Sequence, residues 1–204
     1  MTAVTAQQAR DIAAGGELAQ TAFDALNLDV MNEVTASAAE LNLTDGLLAT
    51  TAELNNVADG SNRILEVAAA SLTLTEASHS GRIMMLNRAA GIAITLPVAA
   101  PGLHFRFIIK TTFTGAATIK SVSGADIMIG HAIMGNNTDN TTVRWPAVAS
   151  DTYDTIDMLG TANSTGGMAG QTIEIIGLEG NLWHVAIVGD AAGTEATPFA
   201  NTVA

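Results

Sequence analysis

The sequence predicts a mainly β protein, with a β-sandwich or jelly-roll-like domain preceded by an extended N-terminal arm that carries short helices. Two observations predict this class. Residues 69–189 contain many short apolar runs separated by clusters of Gly, Asn, Asp and Ser, which is typical of strands joined by turns. Residues 1–68 instead repeat a pattern of helix-start signals. We therefore divide the chain into an arm (1–68), a β domain (69–189) and a C-terminal tail (190–204).

The arm repeats a hydroxyl residue followed three positions later by a carboxylate. The three copies are Thr21 to Asp24, Ser37 to Glu40 and Thr50 to Glu53. In such a capping box, the hydroxyl accepts a hydrogen bond from a free amide of the first helical turn, and the carboxylate accepts one from the amide of the cap residue. The predicted helix-capping residues are Thr21, Ser37, Glu40, Thr50 and Glu53.

The arm has few large apolar residues for its length. A segment of about 60 residues is marginally stable even with a full core, and ordering the backbone costs about 1–2 kcal/mol per residue. We therefore expect the arm to need a surface outside itself, although a helical hairpin within an ordinary domain is the plainer interpretation. The residues expected to bind a partner are Phe23, Leu26, Leu41, Leu47, Leu48 and Leu54.

Two segments of the β domain predict its strongest strands, Leu103 to Lys110 and Leu182 to Val188. In the first, large apolar residues occupy every second position, so they share one face of the strand. In the second, Trp183 faces opposite to His184. Residues expected to pack in the core or between subunits are Phe105, Phe107, Ile109 and Trp183. The tail is small and polar, with Pro198 and Phe199 as its only anchor.

The charge of the chain disfavours several classes of partner. The net charge is −12, and the basic residues form no cluster. Binding to a phosphate backbone requires clustered Lys and Arg, so we expect no nucleic acid partner, and an acidic membrane is disfavoured for the same reason. There is no cysteine, which excludes disulfides and thiolate chemistry. No segment has the pattern of a signal peptide or a membrane span.

The sequence contains no recognisable catalytic or metal-binding motif. The four histidines (His79, His104, His131 and His184) are not at metal-ligand spacing. Three aspartates between Asp151 and Asp157 recur every third residue, which on a strand points neighbouring carboxylates to opposite faces. The glycine-rich loop Gly166 to Gly170 lacks the Lys-Ser/Thr ending of a phosphate-binding loop. We expect no catalytic residue, no metal and no cofactor, and hence a protein that is not an enzyme.

Several segments of the β region and tail resemble proteins of tailed bacteriophage virions. The resemblance covers about 130 residues, and the phrases that carry it are Ile94 to Pro97, Phe105 to Thr112, Ala125 to Gly130, Asp154 to Met158, Gly166-Gly167, Trp183 and Thr194 to Phe199. They are similar to those of small head-decoration, or capsid cement, proteins. The Ala-Glu-Leu-Asn repeats of the arm also resemble repeats of phage tail fibres.

The resemblance implies a virion structural protein made in the host cytoplasm. Its expected state is a homotrimer on the outer surface of the capsid, with the major capsid protein as partner. The alternative is a tail or head fibre module that binds a host receptor through the Asn/Thr-rich segment near Asn136 to Thr142. A hydrolase acting on an envelope polysaccharide is a third hypothesis, disfavoured because the acidic residues are scattered.

Overall fold

The computed structural model describes residues 51–58, 60–160 and 162–203, and in them the chain is mainly β, as the sequence predicts. Two α-helices, α1 (Thr51–Ala58) and α2 (Glu76–His79), and two 3-10 turns, Gly60–Arg63 and Ala149–Asp151, accompany the strands. The strands of these residues are β1 (Ile64–Val67), β2 (Ser71–Thr73), β3 (Ile83–Leu86), β4 (Ala93–Thr95), β5 (His104–Ile109), β6 (Ala117–Lys120), β7 (Ile127–Asn136), β8 (Thr142–Ala147), β9 (Thr155–Met158), β10 (Thr172–Leu178), β11 (Leu182–Ala191) and β12 (Phe199–Ala200).

The strands form two sheets. The large sheet has the order β1-β3-β5-β10-β11-β7-β8, and the small sheet has the order β12-β9-β6-β4-β2. The first six strands alternate between the two sheets, so that β1, β3 and β5 are parallel neighbours in one, and β2, β4 and β6 are parallel neighbours in the other. Parallel strands need a crossover connection, and here a strand of the opposite sheet supplies it.

The later strands complete both sheets with a different pattern. In the large sheet β10 is antiparallel to β5 and to β11, while β11 is parallel to β7 and β7 is antiparallel to β8. In the small sheet β9 is antiparallel to both β6 and β12. Both sheets are therefore mixed. The large sheet begins at Ile64, within the segment that the sequence divides off as the arm.

One hydrophobic core lies between the sheets and takes side chains from both. The inner face of the small sheet aligns Ile94, Ile119, Ile156 and Phe199 across neighbouring strands. On β5, alternate residues from Leu103 to Ile109 point into the core, as the alternating pattern predicts. Complete burial of each large side chain of this kind stabilises the fold by about 1.5–3 kcal/mol.

The C-terminal tail is fastened to the small sheet. Phe199 is buried and its ring stacks on Tyr153, with the ring centroids 5.7 Å apart. The buried carboxylate of Asp154 accepts hydrogen bonds from the backbone N–H groups of Thr202 and Val203, at 2.9 and 3.1 Å. The predicted anchor at Phe199 is confirmed, and Asp154 is a second anchor that the sequence did not reveal.

Candidate interaction surface

The predicted packing residues of the β domain lie in the core. Phe105, Phe107 and Ile109 on β5 and Trp183 on β11 are at most 1% exposed. The rings of Phe105 and Trp183 contact each other at a tilt of 51°, with centroids 6.0 Å apart. Because these side chains are fully covered within the chain, they shape the sheets but present no surface to another molecule.

Most of the predicted arm residues lie outside the described residues. These are Phe23, Leu26, Leu41, Leu47 and Leu48, together with the predicted capping residues Thr21, Ser37, Glu40 and Thr50. Two others lie on α1, which begins at Thr51 and so places a helix where the third repeat predicts one. They are Glu53 and Leu54, and the side chain of Leu54 is 41% exposed.

The two sheets differ in what they present on their outer faces. The small sheet presents mostly small or polar side chains, among them Ser71, Thr73, Thr95, Thr118 and Lys120. The large sheet presents large aliphatic side chains on all strands but β8, and all of them keep some solvent exposure. We call this the large-sheet face, and its aliphatic residues are Ile64, Ile83, Met85, Ile108, Ile127, Ile129, Ile133, Ile176, Leu178, Leu182 and Val188.

Sandwich sheets ordinarily alternate inward apolar residues with outward polar ones. The large sheet departs from this rule because several of its strands are apolar on both faces. Continuous apolar runs such as Ile83 to Leu86 and Ile127 to Ile129 are the sequence signal of a strand covered on both sides. This signal was available in the sequence, but the sequence alone does not show that these runs share one face.

Polar and charged groups also lie on the large-sheet face. His104 Nε2 and Glu174 Oε1 are 3.0 Å apart, and Lys110 Nζ lies 3.5 Å from Glu66 Oε1. Arg106 is directly opposite Glu174 in the register of β5 and β10. A hydrogen bond from Asn87 to Glu66 and the nearby Lys110 ammonium lower the pKa of the Glu66 carboxyl from its ordinary value. Most charges of the face therefore lie beside a partner of opposite sign.

A shallow depression of about 210 Å³ lies near the centre of the large-sheet face. Its lining includes Arg106, Thr172, Glu174, Ala186 and Val188, from the neighbouring strands β5, β10 and β11. It forms where the small side chains of Thr172 and Ala186 lie among larger ones. The face therefore has a depression that a protruding side chain of another molecule can fill.

The β7–β8 hairpin carries the Asn/Thr-rich segment of the sequence. Asn136 is buried, donates to the Gly193 carbonyl at 2.8 Å and accepts from the Thr138 N–H at 2.7 Å. Asp139 accepts from both the N–H and the hydroxyl of Thr141, which lowers the pKa of its carboxyl. Much of the hydrogen-bonding capacity of this tip is therefore used within the loop itself.

The histidines do not converge on a metal site. His104 and His184 occupy partly exposed positions on the same outer face, in one row with Ile176 of β10 between them. No three potential ligands among His, Asp and Glu come together within the described part of the chain. Gly166 and Gly167 lie in the connection between β9 and β10. No helix in the described ranges is long and apolar enough to cross a membrane.

Comparison of the chain with protein-family models, curated proteins and solved structures gives no match. The geometry itself therefore supplies the candidate site. It is a broad, partly exposed apolar face with paired charges and a central depression, which is the character of a surface that binds another protein.

Proposed function

We propose that the chain is a non-enzymatic structural protein of a phage virion, a capsid decoration or cement protein that binds the assembled head as a trimer and stabilises it. The observation that supports this proposal is the large-sheet face, an extended apolar surface on a well-packed sandwich. The segments that resemble head-decoration proteins supply the particular class, and the fold alone would not.

In this proposal the N-terminal arm fastens the trimer to the major capsid protein. Residues 1–50 contain seven acidic residues and one basic residue, Arg10, together with the leucines of the repeats. Three linked arms raise the overall affinity by about 10²–10⁴ over a single arm, provided that all three reach their sites together. A protein that binds only the assembled shell stabilises that shell by mass action.

The acidic character of the chain supports a place on the outside of the shell. The net charge of −12 gives an unfavourable interaction with packaged DNA. On the outer surface the same charge is screened by salt over about 8–10 Å. The proposed partners are therefore proteins, with neither nucleic acid nor membrane among them.

The proposal is tested by binding of the purified protein to heads that lack it. Deleting residues 2–50 retains every described element, and we expect the shortened chain to form the same oligomer but to lose binding to heads. A finer variant replaces Leu47 and Leu48 by Ser within the arm. Its control replaces Val98 and Val122, two exposed valines of the β domain, by Ser.

We expect the arm variant to lose binding and the control to keep it, and we expect heads with the bound protein to withstand higher temperature than bare heads. Unchanged binding by the deletion variant would contradict the proposed role of the arm. An image of the intact virion that places the protein on the tail alone would contradict the capsid assignment.

A fibre module that binds a host receptor is the second candidate. The exposed tip of the β7–β8 hairpin, from Asn137 to Thr141, favours it because amide side chains at a loop tip can bind a glycan. Binding of the purified protein to host cells, lost on replacing Asn137 by Ala, would support this candidate. Absence of any binding to host cells would remove it.

A further inference from the structure

We propose that the large-sheet face is the surface through which copies of this chain bind one another. The inference rests on the proposed function, because it names the surface that would hold the proposed trimer together. The occupant of the face is thus a second copy of the same chain.

The contrast between the two sheets identifies the face. Both sheets cover the same core, yet the outer face of the small sheet is mostly small or polar, whereas the large-sheet face is lined with isoleucine, leucine, valine and methionine. Ile64 and Val188 are each 53% exposed. Apolar patches beyond a few hundred Å² are rare on monomers and mark sites of association. Burying this face would remove that apolar area from water.

The size of the face suits a stable interface between proteins. Seven strands at a spacing of about 4.8 Å span about 29 Å, and seven residues of β10 span about 23 Å. The flat projection is therefore about 670 Å², and the accessible area of protruding side chains is larger. A standard interface buries about 800 Å² on each partner, which this face is able to supply.

The charges of the face favour a second copy over a partner of one dominant charge. Three cationic groups and three carboxylates occupy outward-facing positions in the alternation of its strands, counting Lys110 directly after β5, so their formal charges sum to zero on a chain whose net charge is −12. They are Arg106, Lys110, Arg144, Glu66, Glu174 and Asp190. A face built for an acidic or a basic partner would carry an excess of one sign.

This neutrality also removes the main obstacle to self-association. Two copies with a net charge of −12 repel each other, and that repulsion is weakest where the approaching surfaces are neutral. The repulsion between copies also determines how their association depends on salt. Salt screens the repulsion between copies and leaves the apolar contact intact, so added salt should strengthen the association.

The protruding side chains and the central depression of the face allow two copies to interlock. In the register of the sheet, Ile108, Thr172, Val188 and Ile133 form one row across four strands. The row beside it places Ala186 next to Glu174, and together these rows enclose the central depression. The isoleucines of one copy can therefore enter the depression of another.

The test compares two valines of nearly equal exposure at different places. Val188→Lys puts a charge beside the depression, and Val122→Lys puts the same charge on the loop that follows β6 of the small sheet, where Val122 is 50% exposed. Ile64→Lys is a second variant on the face, at its edge strand. Light scattering and sedimentation of the full-length proteins measure the association, and circular dichroism confirms that each variant is folded.

We expect the wild-type protein and Val122→Lys to associate equally, and both face variants to associate about tenfold more weakly or worse, because a buried unpaired charge opposes the contact. A monomeric wild-type protein would overturn the inference. So would face variants that associate normally, a control that weakens association as much as they do, or an oligomer that dissociates as salt is added.

The two proposals fail in different ways. Normal association of Val188→Lys, combined with binding of the protein to heads, would overturn the assignment of the face and leave the proposed function intact. Loss of association in the face variants, with the protein missing from the head in images of the virion, would overturn the proposed function and leave the face as the contact between copies.

Discussion

Asp154 is the residue whose replacement tests the attachment of the C-terminal tail. Its carboxylate is fully buried and accepts three hydrogen bonds, from the Thr155 hydroxyl at 2.7 Å and from the backbone N–H groups of Thr202 and Val203. Its own N–H donates to the Ala200 carbonyl at 3.1 Å. Replacing Asp154 by Ala removes the side chain that bonds both tail amides at once.

The size of the expected destabilisation depends on which hydrogen-bond donors lose their partner. A hydrogen bond to a charged group contributes about 1.5–3 kcal/mol. The amides of Thr202 and Val203 can bond to water once the tail lifts, whereas the Thr155 hydroxyl is buried and then loses the Thr202 hydroxyl, its partner at 2.7 Å, as well. We therefore expect Asp154→Ala to lower the free energy of unfolding by about 2–4 kcal/mol. Asp154→Asn should cost about 1–2 kcal/mol, because one acceptor oxygen remains.

The assay is urea unfolding followed by tryptophan fluorescence, with carboxypeptidase digestion to report release of the tail. Asp157→Ala is the matched control, because Asp157 lies on β9, which begins directly after Asp154, and is partly exposed, and its backbone bond to the Pro198 carbonyl survives the substitution. The control should stay within about 0.5 kcal/mol of the wild-type protein. A change equally small in Asp154→Ala, with no faster digestion, would refute the reasoning.

Two further predictions concern the interior. Gly130→Ala should lower the free energy of unfolding by about 3 kcal/mol or more, because at φ +136° the added methyl would lie 2.0 Å from the Val185 carbonyl oxygen. The control, Gly102→Ala, lies at φ +91° in open space and should cost about 1 kcal/mol. Equal urea midpoints for the two variants would contradict this explanation. Burial raises the pKa of the Asp126 carboxyl above its ordinary value, although a hydrogen bond from the Ala99 N–H opposes the shift. A raised pKa contributes stability that is present below the ordinary value and is lost as pH rises through the raised one. Asp126→Asn should therefore raise the urea midpoint at neutral pH, with a gain that shrinks in acid; a gain of equal size at every pH would rule out the charge as its cause.

Where a strand has a clear local sequence pattern, that pattern predicted the strand. The alternation from Leu103 to Ile109 identified both β5 and its buried face, because successive side chains of a strand point in opposite directions. The hairpin between β10 and β11 also has a local cause, since Gly180 and Asn181 both adopt the positive φ that such turns require. In these cases the local residues contain the whole reason for the structure.

Other elements depended on neighbours distant in the sequence. β7 extends from Ile127 to Asn136, although Gly130 and Gly135 interrupt its apolar run. Gly130 is needed there because β11 passes too close for a side chain. The buried role of Asp154 likewise depends on a tail that lies almost 50 residues further along the chain.

The sequence by itself determined a mainly β domain, the buried faces of its strongest strands, the Phe199 anchor and the acidic charge of the chain. These properties follow from residue chemistry and from the two-residue period of a strand. Only the tertiary structure decided which strands became parallel neighbours, and thereby collected apolar residues from distant segments onto one outer face. The physical reason is that strands pair through backbone hydrogen bonds, so the side chains of a strand say little about which strand it pairs with.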